Sequence, residues 1–497
     1  MFQNEEQTLF ERLSAYAASD AVPLHMPGHK RNPAGVPFLE ALGAKYDITE
    51  IDGFDNLHDP QGILKDAMAR AACLWGSDRC FFLVNGSTCG VLAAVTAAAK
   101  VSGSKKLIMA RNCHRSVYNA AALNDLEPLY LVPPPAEGFG FCASIPPKAV
   151  EKAVSANPGV PVILTSPSYE GVLSNIAEIA VVCHLWGSPL IVDEAHGAHL
   201  GLSPEFPGGA VSAGADIVVQ SLHKTLTGLT QTGLLHLSGG LVPAADIQRE
   251  LSVFETSSPS YLLMSSIDGT RALLEARGAE LFRLWSDRLS RFDAQCAPLQ
   301  KLRLPGHSDP FRFQSPAPGA GFRRSGLNCP SVWGFDRSKL IVSCEGTDAT
   351  GAALTAALRE RFHIECEMAA PAYVVAMTGL LDTDENLARF AGALLELDGE
   401  IHATAPRRPF TPAPVPPRRL SVREALSRET RTVSPREARG SIAAEYIWAY
   451  PPGIPLVVPG EELTDALIKS FSIERAAGIA LKSTSGGMPR MLRVVKA

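Results

Sequence analysis

Seven short apolar runs punctuate residues 80–240: CFFLV (80–84), KLIMA (106–110), PLYLV (128–132), PVILT (161–165), PLIVD (189–193), DIVVQ (216–220) and GLLHL (233–237). Most are nearly continuous in Val, Ile and Leu. Strands buried on both faces of a largely parallel sheet read this way. Between them lie alanine-rich or amphipathic segments such as TCGVLAAVTAAAK (88–100) and NIAEIAVVCHLWG (175–187). Strand then helix, repeated, predicts an open α/β sheet with helices on both faces.

The rest of the chain is organised around that unit. Residues 1–60 read as an N-terminal segment and 61–270 as the large α/β domain. Residues 271–404, with SKLIVSC (338–344), HIECEM (363–368) and YVVAMT (373–378), read as a small α+β domain. The Pro- and Arg-rich stretch 405–419 predicts a stiff linker, and 420–497 a C-terminal unit. Four prolines in AEYIWAYPPGIPLVVPGEEL (444–463) forbid a helix there and predict a rigid loop packed on another surface.

Composition excludes several classes. The formal net charge is −5 over 497 residues, so no polyanionic partner such as nucleic acid is implied. No apolar run is long enough to span a bilayer, and the acidic, amphipathic N-terminus does not read as a signal peptide. Ten cysteines without a CxxC pair read as reduced, buried thiols of a cytoplasmic protein, with no metal site.

Ligands of open α/β sheets bind beyond the carboxyl ends of the strands. There the chain carries NGSTCG (85–90), RNCHRS (111–116), SPSYEG (166–171), DEAHGAH (193–199) and SLHKTLTG (221–228). Gly86, Ser87 and Thr88 open a helix after a glycine turn. Free backbone N–H groups and the positive helix end suit a phosphate there, or the segment is simply an N-capped helix. Asp193 ends an apolar strand, where a carboxylate needs a cationic partner: a protonated heterocycle, or an internal salt bridge. Lys224 can serve as an amine nucleophile if its pKa is lowered, or it is a solvated loop lysine. His114 can lie on a ring ligand, or cap a loop. Together, phosphate cradle, stacking histidine, aspartate and lysine are what pyridoxal 5′-phosphate requires.

The order of these groups along the chain is that of the aspartate aminotransferase-like fold. The segments LHMPGHK (24–30), DNLHDPQG (55–62), NGSTCG, RNCHRSVYNA (111–120), DEAHGAH, SLHKTL (221–226), TSSPSY (256–261) and YPPGIPLVVPGE (450–461) resemble the prokaryotic ornithine/lysine/arginine decarboxylase family. The chain is similar to the shorter subgroup without an N-terminal wing domain. The resemblance implies a pyridoxal phosphate-dependent α-decarboxylase of a basic amino acid, arginine or lysine rather than ornithine, releasing a polyamine-type amine and carbon dioxide. It implies Lys224 as the Schiff-base lysine, Asp193 as the partner of the pyridine nitrogen and His114 as the stacking residue. Ser87, Thr88, Ser221 and His223 are implied as phosphate and neighbouring ligands, and His196 as a ring-packing residue. Ser257 or Ser258 is expected to reach the phosphate of a neighbouring subunit, hence a homodimer with shared sites. His25 and His29 are expected at the entrance, and Glu461 at the distal end of the substrate. An aminotransferase or carbon–carbon lyase of the same fold is the competing expectation. The Gly/Pro-rich stretch 305–330 matches nothing in the family pattern and reads as an insertion.

Overall fold

The computed structural model describes residues 7–307 and 331–496, apart from 33, 406–409, 411, 413, 450–452 and 487–489. Most of the expected insertion at 305–330 and the start of YPPGIP therefore lie outside the described residues.

The apolar runs form one sheet of seven strands: β1 (Arg79–Leu83), β2 (Lys106–Ala110), β3 (Glu127–Leu131), β4 (Val162–Thr165), β5 (Leu190–Asp193), β6 (Ile217–Ser221) and β7 (Gly233–Leu237). The spatial order is β1-β7-β6-β5-β4-β2-β3. β7 runs antiparallel to both of its neighbours, and the other pairs are parallel. Strands β5, β6 and β7 are buried along their whole length, the physical reason their sequences do not alternate. Register sets Asp193 opposite Thr165 and Val219. It thus lies two residues short of Ser221 on the adjacent strand.

The helix Gly86–Ser102 packs its alanines and valines into the core on this sheet. A 36-residue helix, Tyr261–Cys296, runs through the position expected for the boundary between large and small domains. Its fully buried Arg271 pairs with Asp268, whose carboxylate also accepts the Leu9 N–H at 2.8 Å. A buried cation needs such a partner, and this one also ties down the N-terminal segment.

A three-stranded antiparallel sheet follows, with Tyr373–Met377 between Lys339–Ser343 and Met368–Ala369. In the C-terminal region Ile447–Ala449 pairs with both Pro455–Val457 and Leu481–Ser483. The segment expected as a rigid loop is thus partly a strand pair. Pro455 is tolerated because its strand lies on a sheet edge, where no ladder donor is needed. Tyr446, Trp448 and Val458 belong to the same apolar core as the seven-stranded sheet.

Candidate active site

The carboxyl ends of the strands bring the expected groups to one place. After β1, Gly86 takes a left-handed backbone (φ +72°) to turn the chain into its helix, a conformation glycine adopts without strain. The N-cap Asn85 makes no side-chain cap bond, so the first-turn N–H groups are not taken by it. Glu255 holds the approach from below, accepting the Val84 N–H at 2.9 Å; burial pushes its carboxyl up to about 7. Ser87 Oγ lies 2.6 Å from Ser221 Oγ, joining the ends of β1 and β6. Thr88 is exposed in the same turn.

Asp193 is 4% exposed and accepts the Ala195 N–H at 3.2 Å. Among the described residues it has no ion-pair partner within salt-bridge distance, so the cation expected for it is not supplied by a protein salt bridge. Lys224 stands in the helical turn Leu222–Thr225 directly after β6, so its amine is delivered to the sheet mouth by rigid backbone. Its Nζ is 2.9 Å from His196 Nε2. Burial lowers its pKa, against the pull of Asp193 and Glu367.

Three imidazoles surround this amine. His114 caps the helix Arg115–Leu123, its Nδ1 accepting the Ser116 N–H at 3.2 Å, which leaves Nε2 to carry the proton of the neutral ring. His223 Nδ1 donates to the Thr232 carbonyl at 2.9 Å. His196 packs edge-on against Tyr169, with ring centroids 4.6 Å apart. Burial is the largest cause lowering all three pKa values; Lys224 lowers them further, while Asp193 opposes for His114 and the Thr232 bond for His223. The site therefore holds its histidines neutral.

Other expected residues sit elsewhere. Glu461 is 1% exposed, 3.3 Å from Arg111 Nη2, and accepts the Val458 N–H at 2.8 Å. Glu461, expected at the distal end of the substrate, is thus engaged inside the protein by Arg111 and the Val458 N–H. His25 bonds Tyr16 and Met26, and His29 bonds Asp47 and Arg31, all within the N-terminal segment. Ser257 and Ser258 are exposed on a loop anchored to the cradle by the Thr256 N–H to Asn85 Oδ1 at 3.3 Å.

Sequence reasoning assigned no role to Lys339, Tyr169 or Glu367. Lys339 Nζ lies 3.2 Å from His196 Nδ1, and Glu367 accepts the Tyr169 hydroxyl proton. Lysine heading the apolar run KLIV was the one available signal, and it resembles any strand edge.

A family model described as "Orn/Lys/Arg decarboxylase, major domain" matches residues 7–302, and one for the C-terminal domain of the same family matches 405–477. The chain belongs to the Orn/Lys/Arg decarboxylase family. An arginine decarboxylase of Halalkalibacterium halodurans is 31% identical over 100% of this chain and 99% of the relative. One of Bacillus subtilis is 29% identical over 99% of the chain and 98% of the relative. A solved lysine decarboxylase of Francisella novicida shares the fold with TM-score 0.79 at 17% identity, covering 98% of this chain and 81% of that one. This family member is an amino-acid decarboxylase of the aspartate aminotransferase-like fold, and its cofactor is pyridoxal 5′-phosphate. The residues present fit that group: a glycine-led helix start whose N-cap side chain makes no cap bond, a buried carboxylate with no ion pair among the described residues, and an amine of lowered pKa. The competing aminotransferase or lyase reading is not favoured. No helix of the described residues is long and apolar enough to cross a membrane.

Proposed function

We propose that the chain decarboxylates arginine, giving the corresponding amine and carbon dioxide for a polyamine-type product, as a cytoplasmic homodimer. What carries the choice of arginine is the end-to-end match to arginine decarboxylases at 31% and 29% identity; a lysine decarboxylase of Pseudomonas aeruginosa is 24% identical over 74% of its own length. Pyridoxal phosphate, when bound, supplies an electron sink for the pair left by the departing carboxylate. The chain supplies the rest. Lys224 is the attachment amine, and its lowered pKa favours the neutral, nucleophilic form. Asp193 would keep a proton on the ring nitrogen, a role supported by its burial with no ion pair among the described residues. His114, with its free Nε2 edge, covers one ring face, and His196 packs near Lys224. Gly86, Ser87, Thr88, Ser221 and His223 hold the phosphate end. Ser257 or Ser258 reaches across a dimer interface, and His25 and His29 line its entrance.

For the distal guanidinium, Glu367 is better suited than Glu461. It is exposed, accepts from Tyr169, and lies close enough to raise the pKa of Lys224. Carboxylates pair with guanidinium through charge-assisted, often bidentate bonds.

The test is product analysis with arginine, lysine and ornithine. Amine and carbon dioxide are expected, fastest from arginine. Keto acid in place of carbon dioxide, or no product from any of the three, defeats the proposal.

A further inference from the structure

Lys339 opens the strand Lys339–Ser343 and is 0% exposed. Its Nζ lies 3.2 Å from His196 Nδ1, and His196 Nε2 lies 2.9 Å from Lys224 Nζ. One imidazole is thus held between two amines. A neutral imidazole has one N–H and one lone pair, whereas an ammonium only donates. Two ammonium groups cannot both be satisfied by it. An imidazolium is opposed by burial and by both lysines. With both contacts intact and the imidazole neutral, the trio therefore carries at most one excess proton, and that proton sits at one end or the other. In one arrangement the Lys224 ammonium donates to Nε2 while Nδ1–H donates to the neutral Lys339 amine. In the other, the Lys339 ammonium donates to Nδ1 while Nε2–H donates to neutral Lys224.

We propose that Lys339 is a buried base that receives, through His196, the proton Lys224 must lose before its amine attacks a carbonyl. The transfer is balanced: one proton passes from Lys224 Nζ to His196 Nε2 as another passes from Nδ1 to Lys339 Nζ. The imidazole changes tautomer, no charge is created, and no water enters. Lys339 acts through His196, so it is a positioning residue and proton store.

The surrounding charges divide between the two ends. Asp193 and Glu367 draw the proton toward Lys224; Asp336 and Glu367 draw it toward Lys339. Asp336 is itself bonded to His199 and Ser338, which fixes its distance. His114 and His223 face His196 and disfavour its protonation. Burial pushes Lys339 down to about 8, opposed by Asp336 and reinforced by the Lys224 charge. A proton acceptor in that range exchanges readily at neutral pH. Tyr169, packed edge-on against His196, limits the tilt of the ring.

The inference rests on Lys224 as the attachment amine, but its test does not require turnover. The full-length chain, freed of cofactor, is labelled with acetic anhydride across a pH series, and acylation of the Lys224 peptide is followed by mass spectrometry. The variants are Lys339→Met and Lys339→Gln, with folding checked by circular dichroism. Both remove the proton store, and glutamine can still hydrogen-bond His196. Each is expected to raise the labelling midpoint of Lys224 by about one pH unit, roughly tenfold slower acylation near neutral pH. An unchanged midpoint in either folded variant overturns the relay. So does a glutamine variant that restores the wild-type curve, because a hydrogen bond alone would then suffice. Failure of the Lys224 assignment would show separately, as cofactor absorbance that survives Lys224→Ala.

Discussion

At the scale of single residues the site is an exercise in keeping charges apart. Lys224 stands among neutral imidazoles, and burial makes its ammonium less favourable than in water. Lys224→Ala removes the amine without touching the cradle or Asp193. The visible absorption of the bound cofactor is expected to vanish, measurable by a simple spectrum of the purified variant after addition of pyridoxal phosphate. A band of wild-type intensity would move the attachment point elsewhere. His114, His223 and Lys224 drew attention in the sequence because each lies shortly after a strand, and Asp193 because it closes one. Lys339 and Glu367 did not, because they come from a distant part of the chain. Proximity between residues 196, 224, 339 and 367 is a product of folding, with no trace in local spacing.

At the scale of elements, the strand ends act as fixed mounts. β6 and β7 carry the cradle between them, since Ser221 pairs with Gly233 and bonds Ser87. A Cβ on Gly233 would lie 2.5 Å from the Gln220 carbonyl oxygen and 3.4 Å from Ser87 Oγ. The backbone oxygen cannot move aside without parting the strands. Gly233→Ala is expected to cost about 1–3 kcal/mol of stability and to weaken cofactor retention, read by urea unfolding and by cofactor loss on dialysis. Unaltered retention would mean the cradle does not depend on this strand pair. The strands themselves were readable to within a residue or so from their apolar runs. The boundary expected at 270/271 falls inside the helix Tyr261–Cys296, most of whose buried apolar residues belong to one continuous core.

For the whole molecule, Arg111 is the joint between the sheet and the C-terminal region. Its Nη1 donates to Tyr118 Oη at 2.7 Å and to the Pro455 carbonyl at 2.8 Å, while Nη2 reaches Glu461. Burial raises the pKa of Glu461, with Arg111 the first opposing influence. Arg111→Leu leaves that carboxylate buried and uncompensated, an expected loss of about 3–5 kcal/mol at neutral pH. The sign with pH follows: an acid raised in the folded state contributes stability below its ordinary pKa and loses it as pH rises through the folded value. The deficit of the variant should therefore shrink as pH falls below the carboxylate range. The double change Arg111→Leu with Glu461→Leu should recover part of it. Denaturant titrations at several pH values, with proteolysis of the 405–419 stretch as a second readout, check both. A deficit independent of pH would remove Glu461 from the account.

The sequence alone determined the alternation of strand and helix, the polar groups after each strand and hence the cofactor chemistry. Each of these is written in contiguous residues, where burial on two faces or a turn imposes its own composition. Tertiary structure alone decided that Glu461 is a partner for Arg111, that Asp193 is buried with no ion pair among the described residues, and that two lysines share one histidine. Those facts depend on which loops meet, and the free energy of a buried charge depends on its neighbours in space rather than in the chain.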